Sequence, residues 1–120
     1  MAALVLVYEM RARSESKVNV SPQELIRLMN QGALVLDLRP AEQYQAGHLN
    51  GARQMNGEQI LKAGETLKKY KEKPVVVYDE AGSLTGAAVR QLIAQGFTQA
   101  FALRGGLNAW RADNLPVARA

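Results

Sequence analysis

The sequence predicts an α/β domain with a central, mainly parallel sheet and helices on both faces. Three apolar runs are unbroken and too short for helices, which is typical of strands buried on both faces. They lie at residues 33–38, 75–78 and 99–103. Helical patterns alternate with them at a spacing of roughly 30 residues, as in parallel sheets. With 120 residues, of which 48% are hydrophobic, one domain can close its own core.

The first half begins with a helix predicted from Pro22 to Asn30. Ser21 is its N-cap, Pro22 its first residue and Glu24 completes a capping box. A strand over residues 33–38 follows this helix and ends before Arg39 and Pro40. Residues 41–47 predict a single helical turn.

The second half repeats the alternation. One amphipathic helix is expected over 58–71, although Gly64 weakens it, and Pro74 ends that helix and opens the strand 75–78. A helix rich in small residues follows from Thr85, with Gly96 at its C-terminal end. A strand over 99–103, a turn and a helix over 107–113 complete the pattern.

Composition excludes several kinds of chemistry. The chain has no cysteine, so it cannot form disulfides, thiolate metal sites, thiol nucleophiles or persulfides. Its single histidine and unclustered acids predict no metal and no cofactor. The net charge is +4, but the basic residues are dispersed, and Lys68, Lys69, Lys71 and Lys73 fit a solvated surface. Nucleic-acid binding is therefore not expected.

Residues 1–17 form a separate N-terminal segment, and the domain covers 18–120. Residues 2–8 are apolar, and Arg11 and Arg13 follow. This run is far shorter than the roughly 20 residues that span a bilayer. It is either a short strand or terminal segment, or the remnant of a membrane tether cut near its cytoplasmic edge. We expect a cytoplasmic location, with membrane association under the second alternative.

Polar loops follow the predicted strands at one edge of the sheet, where ligands of parallel α/β folds bind. These loops are 37–40, 79–85 and 104–106, and Asp37, Arg39 and Arg104 would form a pocket rim. Backbone amides after Asp79, with the start of the next helix, would make an anion-binding loop.

Asp79 is also a candidate nucleophile. Its loop, Asp-x-x-Gly-Ser-Leu, partly resembles the Asp-x-Asp-Gly-Thr-Leu loop of haloacid-dehalogenase-like phosphatases. The second acid of that pattern falls on Ala81. A carboxylate nucleophile without its acid partner or Mg²⁺ ligands is poorly equipped for hydrolysis.

Three ordered motifs carry a longer resemblance. They are LDLRPAEQYQAGHLNGA (36–52), VVVYDEAGSLTGAAVRQL (75–92) and GFTQAFALRGGLNAW (96–110). The first is similar to the Asp-x-Arg and Gly-His-Ile-x-Gly-Ala signature of rhodanese domains, and the last to their closing Gly-Gly-x-x-x-Trp segment. The resemblance runs from Val18 to Pro116 and implies the three-layer rhodanese-like fold of sulfurtransferases.

In active rhodaneses the loop reads Cys-x-x-Gly-x-Arg-Ser, and the cysteine carries a persulfide. The resemblance places Asp79 at the cysteine, Gly82 at the glycine, Leu84 at the arginine and Thr85 at the serine. Both the sulfur carrier and the cationic clamp are therefore missing. The site-equivalent loop consists of Asp79, Glu80, Ala81, Gly82, Ser83, Leu84 and Thr85. We expect the Asp79 carboxylate to accept hydrogen bonds from the loop amides and imitate the sulfur anion.

These features predict a pseudoenzyme, a non-catalytic binding or regulatory module for a protein partner or a small anionic ligand. Two enzymatic alternatives remain, namely sulfur transfer that uses another protein's cysteine and hydrolysis through Asp79. His48 and Trp110 are interpreted as structural residues.

Overall fold

A computed structural model describes residues 18–119. Five strands form one all-parallel sheet in the order β1-β5-β4-β2-β3. The strands are β1 (Asn19–Val20), β2 (Leu34–Asp37), β3 (Arg53–Gln54), β4 (Val75–Tyr78) and β5 (Ala100–Leu103). The α/β prediction is confirmed. The two alternatives for residues 1–17 lie outside the described residues.

The described part of the chain has six α-helices, of which the first five connect the strands and the sixth follows β5. They are α1 (Pro22–Asn30), α2 (Ala41–Ala46), α3 (Gly57–Leu61), α4 (Ala63–Thr66), α5 (Thr85–Ala94) and α6 (Gly106–Ala112). The prediction for α1 is confirmed with its capping box, because the Glu24 amide donates to Ser21 Oγ (3.1 Å) and the Ser21 amide donates to Glu24 Oε1 (3.3 Å). Between residues 18 and 119, no helix is long and apolar enough to cross a bilayer.

Helices cover both faces of the sheet because alternate strand residues point to opposite sides. One core contains Leu34, Leu36, Val75 and Val77 with α3, α4 and α5. The other contains Val35, Val76, Tyr78 and Leu103 with α1 and α6. Strand residues 75–78 are therefore buried on both faces, as their unbroken apolar run predicted.

The single helix predicted over 58–71 is wrong. The segment breaks into α3, α4 and a 3₁₀ helix at Lys68–Tyr70. Lys62 ends α3 and precedes α4, and the Gly64 amide donates to the Gln95 side chain (2.7 Å). Ile60, Ala63 and Leu67 still face the core, so the apolar pattern survives without a continuous helix.

Candidate functional site

The carboxylate of Asp79 points into its own loop. Asp79 directly follows the carboxyl end of β4 and is only 3% exposed. The Gly82 amide donates to its Oδ1, and the Leu84 amide donates to its Oδ2 at 2.7 Å. The Ser83 hydroxyl lies 3.5 Å from Oδ2. Both carboxylate oxygens are therefore occupied by donors of the loop that was predicted to bind anions.

The loop has a tight backbone that positions these donors. Gly82 has φ +91°, and a Cβ on it would lie 3.3 Å from the Gly105 backbone nitrogen. This conformation and this close approach both favour glycine. The buried Thr85 then begins α5, and its hydroxyl donates to the Gly82 carbonyl at 3.2 Å.

The turn between β5 and α6 holds the loop from the other side. The Leu107 amide donates to the Asp79 carbonyl, and the Asn108 amide donates to the Glu80 carbonyl, both at 2.9 Å. A Cβ on Gly106 would lie 2.5 Å from the Asp79 carbonyl oxygen. The first turn of α6 thus lies directly against the backbone of the loop, so the loops after β4 and β5 converge.

Asp37 and Arg39 form a buried ion pair behind the loop. Arg39 Nη2 lies 2.7 Å from Asp37 Oδ2 and also donates to the Gly47 carbonyl at 2.5 Å. The Arg39 amide donates to Asp37 Oδ1 at 2.8 Å. Burial opposes the charge of Arg39, but the hydrogen bonds and charge of Asp37 outweigh it and hold the pKa of Arg39 above its usual value.

Glu80 connects this pair to α6. Its Oε2 lies 3.8 Å from Arg39 Nη1 and 3.6 Å from Arg111 Nη1, without a hydrogen bond. Glu80 was expected only as a member of the loop 79–85, and Arg111 was not expected at the site. No local motif could reveal them, because the three residues lie on three separate elements.

Tyr78 is a second site residue that the sequence analysis missed. It is fully buried beneath the Asp37–Arg39 pair, and its hydroxyl accepts a hydrogen bond from the Leu49 amide at 3.0 Å. The Arg39 guanidinium lies 5.8 Å from the centre of its ring. Burial raises the pKa of Tyr78 far above its usual value, so the phenol stays protonated in the folded protein.

The other candidate residues lie outside this network. Arg104 is exposed beyond β5, and its side chain makes no hydrogen bond or ion pair with residues 18–119. His48 Nδ1 lies 2.7 Å from the Tyr44 carbonyl, and its ring stacks on Tyr44. Trp110 donates through Nε1 to the Pro116 carbonyl at 2.8 Å. In the part of the chain that the structure describes, no cluster of acids and histidine could hold a metal.

An apolar groove of about 200 Å³ adjoins the loop. Leu84, which stands at the arginine position of active rhodaneses, is 64% exposed and forms part of its wall. Leu38, Ile60 and Ala87 supply further apolar lining. The surface beside the loop is therefore apolar where the resemblance implies a cation.

Comparisons with known proteins agree with this architecture. The family model for the rhodanese-like domain matches residues 21–113. The uncharacterized protein YibN of Escherichia coli (strain K12) is 37% identical over 108 residues, which cover 87% of this chain and 75% of YibN. The thiosulfate sulfurtransferase GlpE of Pseudomonas fluorescens (strain SBW25) is 32% identical over 95 residues, covering 77% of this chain and 83% of GlpE.

A solved structure gives the same result. The solution NMR structure of the rhodanese-like domain from the Anabaena protein Alr3790 has a TM-score of 0.74 and 29% identity, and it covers 87% of this chain and 80% of that domain. Motif order, all-parallel sheet, family model and relatives all agree, and the chain therefore belongs to the rhodanese-like domain family.

Proposed function

We propose that this protein is a non-catalytic rhodanese-like module whose loop binds its own carboxylate and whose surface binds another protein. The observation that carries this proposal is the pair of backbone hydrogen bonds to Asp79 from the Gly82 and Leu84 amides. In active rhodaneses the corresponding donors would face a sulfur anion. Here the anion is part of the chain.

The internal carboxylate also disfavours external anions at the same place. A sulfate or thiosulfate would have to displace hydrogen bonds that are charge-assisted and already formed. It would also approach the negative charge of Asp79. We therefore favour a protein partner over a small anionic ligand.

The enzymatic alternatives fit the site less well. A nucleophilic carboxylate needs an accessible oxygen and an acid for the leaving group. Asp79 is 3% exposed, and both of its oxygens accept hydrogen bonds. Sulfur transfer through another protein's cysteine would place a sulfur anion in a loop that already holds a carboxylate.

Turnover by the purified protein tests the proposal. We expect no activity above background with thiosulfate and cyanide, or with phosphate and acyl-phosphate esters and Mg²⁺. Activity that disappears in Asp79→Asn would contradict the proposal. The double variant Asp79→Cys with Leu84→Arg is the positive control for the scaffold, and it should gain sulfur transfer from thiosulfate.

A further inference from the structure

The outer surface of α5 carries little charge. Its exposed positions include Gly86, Ala87, Gln91 and Ile93, and Arg90 is the one charged residue of the helix. Solvent-facing helix surfaces are usually rich in charged side chains. This surface therefore differs from that of an ordinary solvated helix.

Apolar side chains and grooves surround this surface. Of the three large hydrophobic side chains exposed in residues 18–119, Leu84 (64%) and Ile93 (49%) belong to this surface, whereas Leu61 (57%) lines neither groove. Leu84 immediately precedes α5, and Ile93 lies in its last turn. The 200 Å³ groove described above lies on one side of the helix, and a second groove of about 470 Å³ lies on the other. We call the surface formed by Leu84, Gly86, Ala87, Arg90, Gln91 and Ile93 the α5 face.

The α5 face has a cation without an acidic partner. Arg90 lines the second groove and forms no ion pair with residues 18–119. The sequence from 81 to 112 contains no Asp or Glu. A partner that covers this surface would desolvate Arg90, so a carboxylate on the partner would be favourable.

We propose that the α5 face binds an amphipathic helix of a protein partner, with aliphatic side chains in the two grooves and an Asp or Glu near Arg90. This rests on the proposed function and names the surface and the chemistry of the partner. Ala87 has a small side chain, so a helix backbone can approach closely there, whereas the Arg90 guanidinium lies over Gly86, 3.5 Å from the position of a Cβ. Recognition through aliphatic anchors at helical spacing is a common mode of peptide binding.

A second copy of this chain fits less well. A symmetric pair of α5 faces would bury two Arg90 side chains in one interface, and no acid of α5 could compensate them. The partner helix must therefore supply the negative charge.

Titration of the full ¹⁵N-labelled protein with a synthetic helix tests the proposal by NMR. The probe is a peptide of roughly 18 residues, long enough to fold, built from Leu, Ala and Gln with leucines at positions i, i+3, i+4 and i+7 and one Glu beside them. We expect amide shifts confined to Leu84, α5 and the other residues that line the two grooves. A control peptide with Lys instead of Glu should bind roughly threefold more weakly, as expected for one surface charge pair.

Two matched pairs of variants sharpen the test. Leu84→Asp should weaken binding about tenfold, because it removes an aliphatic contact. Leu61→Asp makes the same change at an exposed leucine that lines neither groove, and it should leave the affinity unchanged. Arg90→Glu should reverse the preference between the two peptides, whereas Arg27→Glu on α1 should not.

Several outcomes would overturn the inference. These are an absence of α5 shifts at millimolar peptide, equal binding of both peptides, nuclear Overhauser contacts between residues 2–8 and α5, and a symmetric dimer through this helix. Each would leave the expected absence of turnover, and hence the non-catalytic part of the proposed function, untouched. Turnover that depends on Asp79 would instead contradict the proposed function without removing the peptide result.

Discussion

Two buried aspartates lie at the carboxyl ends of neighbouring strands of this sheet, and their partners differ. Asp37 is fully buried and binds the Arg39 guanidinium and amide. Asp79 is 3% exposed and accepts hydrogen bonds from the backbone amides of its own loop. The first aspartate neutralises a fixed charge of the scaffold. The resemblance to rhodaneses places the second at the position of their persulfide-carrying cysteine.

This difference predicts different consequences of removing each charge. Without Asp37, the guanidinium of Arg39 stays buried at 4% exposure and loses its strongest acidic partner. Without Asp79, the orphaned donors are backbone amides, which water or an external anion can satisfy. The same substitution at Asp37 and at Asp79 therefore distinguishes a residue that stabilises the scaffold from a residue that belongs to the candidate site.

Asp37→Asn should produce the largest loss of stability. Breaking a buried ion pair costs about 3–5 kcal/mol, and Glu80, 3.8 Å from Arg39 and partly exposed, is a weaker partner than Asp37. Urea unfolding measures the change in free energy. Glu42→Gln, at an exposed acid of α2, is the control and should change stability by less than about 0.5 kcal/mol. A loss below about 1 kcal/mol in Asp37→Asn would show that the pair does not anchor the scaffold.

Gly106→Ala should have the next largest effect. The new Cβ would meet the Asp79 carbonyl at 2.5 Å, and Gly106 has φ +62°. We expect a loss of about 2–4 kcal/mol, from backbone strain together with overpacking. Gly32→Ala is the matched control, because Gly32 has φ +87° but open space around its Cβ position. Its loss should be about 1–2 kcal/mol, and equal losses would argue against a tight contact between α6 and the loop.

Asp79→Asn should have a smaller effect than Asp37→Asn. It weakens two charge-assisted hydrogen bonds and should cost about 1–3 kcal/mol in the free energy of unfolding. Ser83→Ala removes only the donor at 3.5 Å from the same carboxylate and should cost less than about 0.5 kcal/mol. If Asp79→Asn lowered the free energy of unfolding as much as Asp37→Asn does, the two aspartates would not differ in their contribution to the scaffold.

The smallest predicted effect is a dependence of stability on alkaline pH. Burial raises the pKa of Tyr78, so the folded protein keeps a proton that the unfolded chain loses above about pH 10. The free energy of unfolding should therefore fall as pH rises above that value, by up to about 1.4 kcal/mol per pH unit.

Urea titrations at several pH values compare the slopes. Tyr78→Phe should flatten the alkaline slope, although it also removes the hydrogen bond from the Leu49 amide and lowers the stability at neutral pH. Tyr70→Phe, at a half-buried tyrosine of the 3₁₀ helix, is the matched control for the loss of one hydroxyl. An unchanged slope in Tyr78→Phe would assign the alkaline loss to other groups.

The sequence predicted the fold where local patterns determine it. Apolar runs located β2, β4 and β5, and the capping box fixed the start of α1. The edge strands β1 and β3 were missed because two residues each carry no detectable alternation. The helix predicted over 58–71 failed because its breaks involve Gln95, which is distant in sequence.

In the candidate site too, local motifs predicted some features, and tertiary packing determines the others. Motif spacing located the loop at 79–85. The Asp79 carboxylate accepts hydrogen bonds from the loop amides, as expected from the sequence. Its functional meaning stays a prediction. The approach of Gly106 to the loop and the position of Glu80 between Arg39 and Arg111 depend on tertiary packing. No short stretch of sequence contains that information.

Binding of thiosulfate to the wild type and to Asp79→Ala tests the central claim most directly. Calorimetry and the melting temperature should detect little binding in the wild type, because Asp79 already occupies the loop amides. Asp79→Ala should bind the anion measurably and regain part of its lost stability. Equal binding by both proteins, or none by Asp79→Ala while its fold is intact, would contradict the interpretation of Asp79 as an internal anion.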